Sequence, residues 1–251
     1  MSDLLPTSTD RKRAAAEAAV DQVRDGMVVG IGTGSTSAFA IAALGHRIRA
    51  GLRIRGVATS IATKSAARKA GIPIIPFTRL DHLDLTIDGV DEIDSLMRAI
   101  KGAGGAMLRE KVIAAASTRM IAIADGSKLV DRIGQASVPV EVLPMALAAV
   151  TRAIVDLGGR PVTRHTDAGA PTLTDQQNFI IDAAFGLIAH PRALATALSD
   201  IPGALGHGLF IDQIDELYLG TADGVVTLAR RATTLSVDSG THRSQSINDL
   251  A

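Results

Sequence analysis

Short runs that are apolar at nearly every position alternate, in the first half of the chain, with stretches whose apolar residues recur at helical spacing. MVVGIG (27–32), RIRGVATS (53–60), IPIIPF (72–77), LDLTID (83–88) and RMIAIAD (119–125) are the short runs and read as strands. Between them RKRAAAEAAVDQVR (11–24), TSAFAIAALGHRIRA (36–50), TKSAARKAG (63–71) and AMLREKVIAAAS (106–117) read as helices. Thr9 and Asp10 are expected to cap the first, which Asp25-Gly26 would stop. A strand that is apolar on both faces must be covered on both. The alternation therefore predicts an α/β fold, a Rossmann-like parallel sheet with helices on both faces.

The rhythm changes near Val138. PVEVL (139–143), a helix over 145–158, the runs GRPVTRH (159–165), PTLT (171–174) and NFIIDAAF (178–185), a helix over 190–203 and ALGHGLF (204–210) follow in close order. That β-α-β-β-α-β succession predicts a smaller inserted α+β domain of the ferredoxin-like kind. DELYLGTADGVVTLAR (215–230) returns to buried-strand character and should rejoin the first sheet. The expected organisation is a catalytic domain over 1–131, completed by 207–231, around an inserted domain at 132–206. The polar, aperiodic residues 232–251 read as a disordered tail.

Composition narrows the function. The 251 residues carry 26 Lys+Arg against 26 Asp+Glu and only 2% aromatics. Such a chain offers neither the field nor the stacking platforms for nucleic acid, and no attraction to an anionic membrane. With no cysteine, disulfides and thiolate catalysis are out. The start MSDLLPTSTDRKR lacks the apolar core of a signal peptide, and no apolar run approaches the roughly 20 residues of a membrane span, so a cytoplasmic protein is expected. The six histidines are scattered without HExxH spacing, which argues against a metal site, and there is no GxSxG elbow.

The candidate chemistry sits at strand ends. GIGTGST (30–36) joins the first strand to its helix, where glycines admit an anion close to the backbone and Ser35 and Thr36 add hydroxyls at a helix N-terminus. It lacks the Gly-Lys-Ser/Thr of a Walker loop, and no acid ends the second strand to hold a ribose diol; packing alone would also explain the turn. TSIATKS (59–65) closes the second strand in the same hydroxyl-rich manner. LTIDGVDEID (85–94) places Asp88 at the end of an apolar strand, with Asp91, Glu92 and Asp94 beyond it in what charge runs usually are, a solvated loop. Lys101, held before the glycine-rich turn 102–105, and Glu110, expected two turns into the next helix, would face the same edge. A carboxylate base and donors for an enediolate oxygen are what moving a proton between adjacent sugar carbons requires.

Taken in order, GIGTGST, TSIATKS, LTIDGVDEID, IKGAGGAMLREK, IADGSK and PVEVLPMA resemble the motif series of ribose-5-phosphate isomerase, type A, and LGGRPVTR and NFIIDAAF resemble its smaller domain. The resemblance covers about residues 11–230 and implies interconversion of D-ribose 5-phosphate and D-ribulose 5-phosphate through a cis-enediolate, without a cofactor. It implies Glu110 as the base, Asp88 and Asp91 as acids on the sugar hydroxyls, and Lys101 with Gly102, Ala103 and Gly104 as the loop supporting the charged intermediate. Thr33, Gly34, Ser35 and Thr36, with Gly89 and Val90, would contact substrate; Lys128 and Lys12 would be cations near it. A homodimer or homotetramer is implied as well. Ala103 stands where the family commonly has glycine, which is harmless unless the backbone there needs positive φ.

Two other enzyme types and one binding protein compete. An amino-sugar phosphate deaminase would need a histidine near the acids, whereas His82 precedes the strand that presents them. A coenzyme A transferase would need a larger acyl-carrier site. A non-catalytic sugar-phosphate sensor would carry a DNA-reading module, and no basic helix-turn-helix segment flanks the domain.

Overall fold

The structure, a computed structural model, describes residues 6–230; the tail expected at 232–251 lies outside them. Chain order runs α1 (Ser8–Val20), β1 (Val28–Ile31), α2 (Ser35–Arg49), β2 (Arg55–Ala58), α3 (Ile61–Lys69), β3 (Leu85–Gly89), β4 (Glu92–Ile93), β5 (Ala99–Ile100), α4 (Met107–Ala115) and β6 (Met120–Asp125). It continues through β7 (Val138–Val142), α5 (Leu147–Asp156), β8 (Arg160–Thr163), β9 (Phe179–Ala184), α6 (Pro191–Ser199), β10 (Ala204–His207), β11 (Leu209–Phe210), β12 (Glu216–Thr221) and β13 (Gly224–Ala229). No helix among the described residues is long and apolar enough to cross a membrane.

The main sheet has the order β13-β12-β6-β3-β1-β2. Every neighbouring pair is parallel except the β12–β13 hairpin, so residues 215–230 do rejoin the first sheet. Alternate residues of the central strands face opposite layers. Ile121 and Ile123 pack with Ala15, Ala16 and Ala19 of α1, while Ala122 and Ala124 pack with Ala114 of α4 and Phe210. From β1 the chain turns to β2 on one side and later crosses to β3 on the other. The carboxyl ends of β1 and β3 thus flank the point where strand order reverses, the crevice in which such sheets bind ligands.

The segment 138–207 forms a second sheet of order β10-β7-β9-β8, antiparallel at each pairing, with its own core of Val138, Val140, Val142, Ile154, Ile181 and Leu198. This is the strand order the ferredoxin-like reading anticipates. A third sheet, β11-β5-β4, was not anticipated.

Several expected elements differ. The cap of α1 is Thr7, because Asp10 then falls at the third helical position and each side chain bonds the other's backbone N–H. The helix ends at Val20 rather than near Arg24. IPIIPF contributes only an isolated parallel bridge, Gly56 to Ile74, since Pro73 and Pro76 have no N–H to extend a ladder. PTLT likewise yields only the isolated bridges His165–Pro171 and Leu173–Phe179. ALGHGLF splits between two sheets at Gly208, where a Cβ would lie 2.1 Å from the Lys101 carbonyl oxygen.

Candidate active site

Asp88 is the anchor. Strand β3 brings it to the sheet edge with no exposed surface, and its Oδ1 accepts from the backbone N–H of Thr33 (3.1 Å), the Ser37 hydroxyl (3.2 Å) and its neighbour Gly89 N–H (2.7 Å). The β1–α2 turn therefore folds directly onto the end of β3. Gly32 permits it: a Cβ there would lie 1.9 Å from Asp88 Oδ1. Gly34, at φ 108°, caps α2 without any side-chain bond, leaving that helix terminus open beside Ser35 and Thr36.

Lys101 closes the cluster. Its side chain is 2% exposed, and its ammonium lies 3.0 Å from Asp88 Oδ2 and 3.3 Å from Glu110 Oε2 while donating to the Gly89 carbonyl. Neither carboxylate oxygen has a hydrogen bond of good geometry, although both are buried. The Phe210 ring lies 5.5 Å from the same ammonium and closes off one side. Burial works against the charged lysine, but Asp88 and Glu110 outweigh it and hold its pKa above the ordinary value. Burial, reinforced by the charge of Asp88, pushes Glu110 up to about 8 against the opposing pull of Lys101. Glu110 stands in the first turn of α4, not two turns in as expected; the helix begins only at Met107, after the glycine turn.

That turn has two left-handed residues, Gly102 (φ 101°) and Gly105 (φ 76°). Ala103 is not one of them, so its methyl group is compatible with the backbone. The Ala103 N–H donates to Asp91 Oδ2 (2.9 Å), and a Cβ on Gly104 would sit 3.5 Å from the Thr33 methyl carbon. Asp88, Asp91, Lys101, Glu110, the 102–104 turn and Thr33 thus come together. Thr33 is also the hub of a hydroxyl cluster, with Thr59 at 2.8 Å, Ser60 at 2.9 Å and Thr63 at 3.0 Å.

Other residues are placed differently. Lys12 lies 3.8 Å from Asp125 at the end of β6, and Lys128 ends the short turn after that strand; neither forms an ion pair with Asp88, Asp91 or Glu110. Val90 belongs to the apolar cluster under the sheet. Glu92 and Asp94 are not a solvated run. Glu92 is buried and takes the N–H groups of Gly134 and Ala136, while Asp94 is buried against Arg98, so both fix loops. His82 is exposed beside Asp81, ahead of β3 and away from the site edge. Sequence reasoning did not single out Ser37, Ser60, Phe210 or Arg164. Arg164 of the second sheet donates to the Ala103 carbonyl at 2.8 Å. Ser60 lies in the quoted TSIATKS turn and Arg164 ends the quoted LGGRPVTR stretch, but nothing in either stretch pointed to these contacts. Among the described residues, no three His, Asp or Glu side chains converge in a way that could hold a metal ion.

Comparison with known proteins gives the family. The profile of the family ribose 5-phosphate isomerase A (phosphoriboisomerase A) matches residues 55–224. The chain is 52% identical to a ribose-5-phosphate isomerase A of Sphingopyxis alaskensis over 214 residues, 85% of this chain and 93% of the relative. It is 48% identical to that of Methylorubrum extorquens over 224 residues, 87% of this chain and 95% of the relative. Among solved structures, the ribose 5-phosphate isomerase A of Methanocaldococcus jannaschii superposes with TM-score 0.85 at 37% identity, covering 89% of this chain and 100% of that one. A D-ribose-5-phosphate isomerase in complex with phospho-erythronic acid superposes with TM-score 0.87 at 37% identity, covering 90% and 100%. On this footing the chain belongs to the ribose 5-phosphate isomerase A family.

Proposed function

We propose that the chain interconverts D-ribose 5-phosphate and D-ribulose 5-phosphate through a cis-enediolate, with Glu110 as the base that carries the proton between the two carbons. The observation that carries this reading is the buried cluster in which one ammonium lies 3.0 Å from Asp88 and 3.3 Å from Glu110, with an oxygen on each carboxylate lacking a good hydrogen bond. Sugar hydroxyls are the donors such oxygens lack. A carboxyl held near neutral pKa is matched to taking and returning a carbon-bound proton. The Lys101 ammonium, held charged, and the N–H groups of the 102–104 turn stabilise the negative oxygen as it forms. Asp88 and Asp91 take the proton from one sugar oxygen and return it to the other as the double bond shifts. The uncapped start of α2, with Ser35 and Thr36, suits the phosphate, and Lys12 and Lys128 add positive charge at the neighbouring strand end. The ligand of the related isomerase, phospho-erythronic acid, is a phosphorylated sugar acid and supports the same ligand class.

In this reading residues 1–131 with 207–231 are the catalytic unit and 132–206 the inserted one, and the protein works in the cytoplasm as a homodimer or homotetramer. The test is turnover of D-ribose 5-phosphate in excess EDTA, followed as ketose formation. Glu110→Gln should bind the sugar phosphate but lose about 10²–10⁴-fold in turnover. Near-normal turnover by that variant removes Glu110 from the role, and binding without turnover by the unmodified chain removes catalysis.

A further inference from the structure

The Lys101 turn needs holding. Two of its four following residues are left-handed glycines, and Ala103 and Gly104 are exposed, so local conformation alone leaves it free to move. Three attachments fix it. Its start is tied by the Lys101 N–H to the Gly208 carbonyl at 2.9 Å. The Ala103 N–H is held by Asp91 at 2.9 Å from the catalytic side. The Ala103 carbonyl, on the other face, accepts from Arg164 at 2.8 Å, with the Gly102 carbonyl at the edge of range at 3.5 Å.

Arg164 is itself fixed. It follows β8, and its Nε and terminal nitrogen grip the two carboxylate oxygens of Asp182 on β9 at 2.8 and 2.5 Å. This two-point grip spends the planar fork on Asp182 and aims the remaining nitrogen at the turn, which a lysine cannot do. We propose that Arg164, oriented by Asp182, is a positioning residue for the isomerisation: the inserted sheet sets the height of the turn that carries Lys101 and its amide donors.

The inference rests on the isomerase reading for its kinetic consequence. The transition state has the charge that the turn stabilises, so a slack turn should show in kcat more than in KM. The pair is a fifth to a third exposed and adds little to overall stability.

The test is Arg164→Met, which keeps the apolar stem, alongside Arg164→Lys and Asp182→Asn, assayed on ribose 5-phosphate and by backbone amide exchange. For Arg164→Met, kcat should fall about ten- to a hundredfold with KM moving less than about threefold. Amides of residues 102–105 should exchange faster while those of β9 and α5 keep their protection. Lysine should recover only part of the loss, and Asp182→Asn should reproduce it in milder form. A kcat within about twofold of the unmodified protein in both Arg164→Met and Asp182→Asn overturns the proposal. Loss of protection spread evenly through β8 and β9 in both also overturns it, because the pair is then merely structural. The exchange readout needs no turnover, so the tether is decided even if the unmodified chain fails to convert ribose 5-phosphate, an outcome that would fall on the isomerase reading instead.

Discussion

Glu110→Gln should stabilise the protein, and increasingly so as pH rises. Carrying this carboxyl from an ordinary 4.5 to about 8 disfavours its ionised form by about 5 kcal/mol relative to the unfolded chain. Below about 4.5 the acid is protonated in both states and nothing is lost. Between about 4.5 and about 8 the unfolded chain has released a proton that the folded chain keeps, so raising pH draws the equilibrium towards unfolding. Above about 8 the full penalty is present. Glutamine has the shape of the protonated acid and never ionises, so it escapes the loss. The unmodified protein's own pH curve is not diagnostic, because buried Lys111 acts in the opposite sense. Burial lowers its pKa from 10.5 to about 7, so it adds stability as pH rises between those values. The difference between variant and parent removes that background. Urea unfolding of both at about pH 5.5 and about pH 9, at one protein concentration, should show the advantage of glutamine growing by more than about 1 kcal/mol, with about 3 as the ceiling over that interval. An advantage that is constant with pH, or that shrinks, would refute a raised Glu110.

Three further outcomes follow from the same geometry. In pH–rate profiles, kcat/KM should rise with a midpoint of about 8 as Glu110 ionises, and kcat should rise at lower pH, once bound hydroxyls supply the hydrogen bonds its buried oxygen lacks; flat profiles from about pH 6 to about pH 9 contradict this. Lys101→Met removes the ammonium shared by Asp88 and Glu110 and should cost about 10²–10³-fold in kcat on ribose 5-phosphate; a loss of less than about fivefold would count against its role. Gly32→Ala puts a Cβ 1.9 Å from Asp88 Oδ1. Its displacement of Asp88 should leave less than about a hundredth of normal turnover, and normal kinetics would mean that Asp88 need not be held there.

What could be read beforehand divides along sequence distance. Buried runs such as MIAIAD and the succession of short runs and helical stretches over 138–207 report on their own neighbourhood, and they predicted both main sheets and the ferredoxin-like order. Asp88 and the glycine turns were visible because strand-end chemistry is local. IPIIPF misled because apolarity predicts burial but not pairing, and its two prolines deny the ladder its donors. β4 and β5, two residues each, carry too little pattern to register. Glu92 and Asp94 looked like solvent-facing charge since their partners, the amides of Gly134 and Ala136 and the Arg98 side chain, leave no mark on the acidic run itself. Arg164 is the extreme case: its functional contact is 61 residues away, with a backbone carbonyl that any residue could have supplied.

The site is built where local preference and stability are both overridden. Two carboxylates and one ammonium are buried together, leaving a net negative charge if all are ionised and none if Glu110 keeps its proton. Burial favours the neutral arrangement, which is why Glu110 rather than the lysine yields: Lys101 has two acidic neighbours and a carbonyl, whereas Glu110 has one cation shared with Asp88. A proton that rests on Glu110 at neutrality but is only weakly held is the one a base must be able to release and recapture. Lowering its pKa by moving Glu110 to a wetter position would relieve the instability and make it a poorer base in the same step. The instability of the cluster and its fitness for proton transfer therefore have one cause, the burial of Glu110 beside the charge of Asp88, and the hydroxyls of a sugar are suited to bond the two buried oxygens.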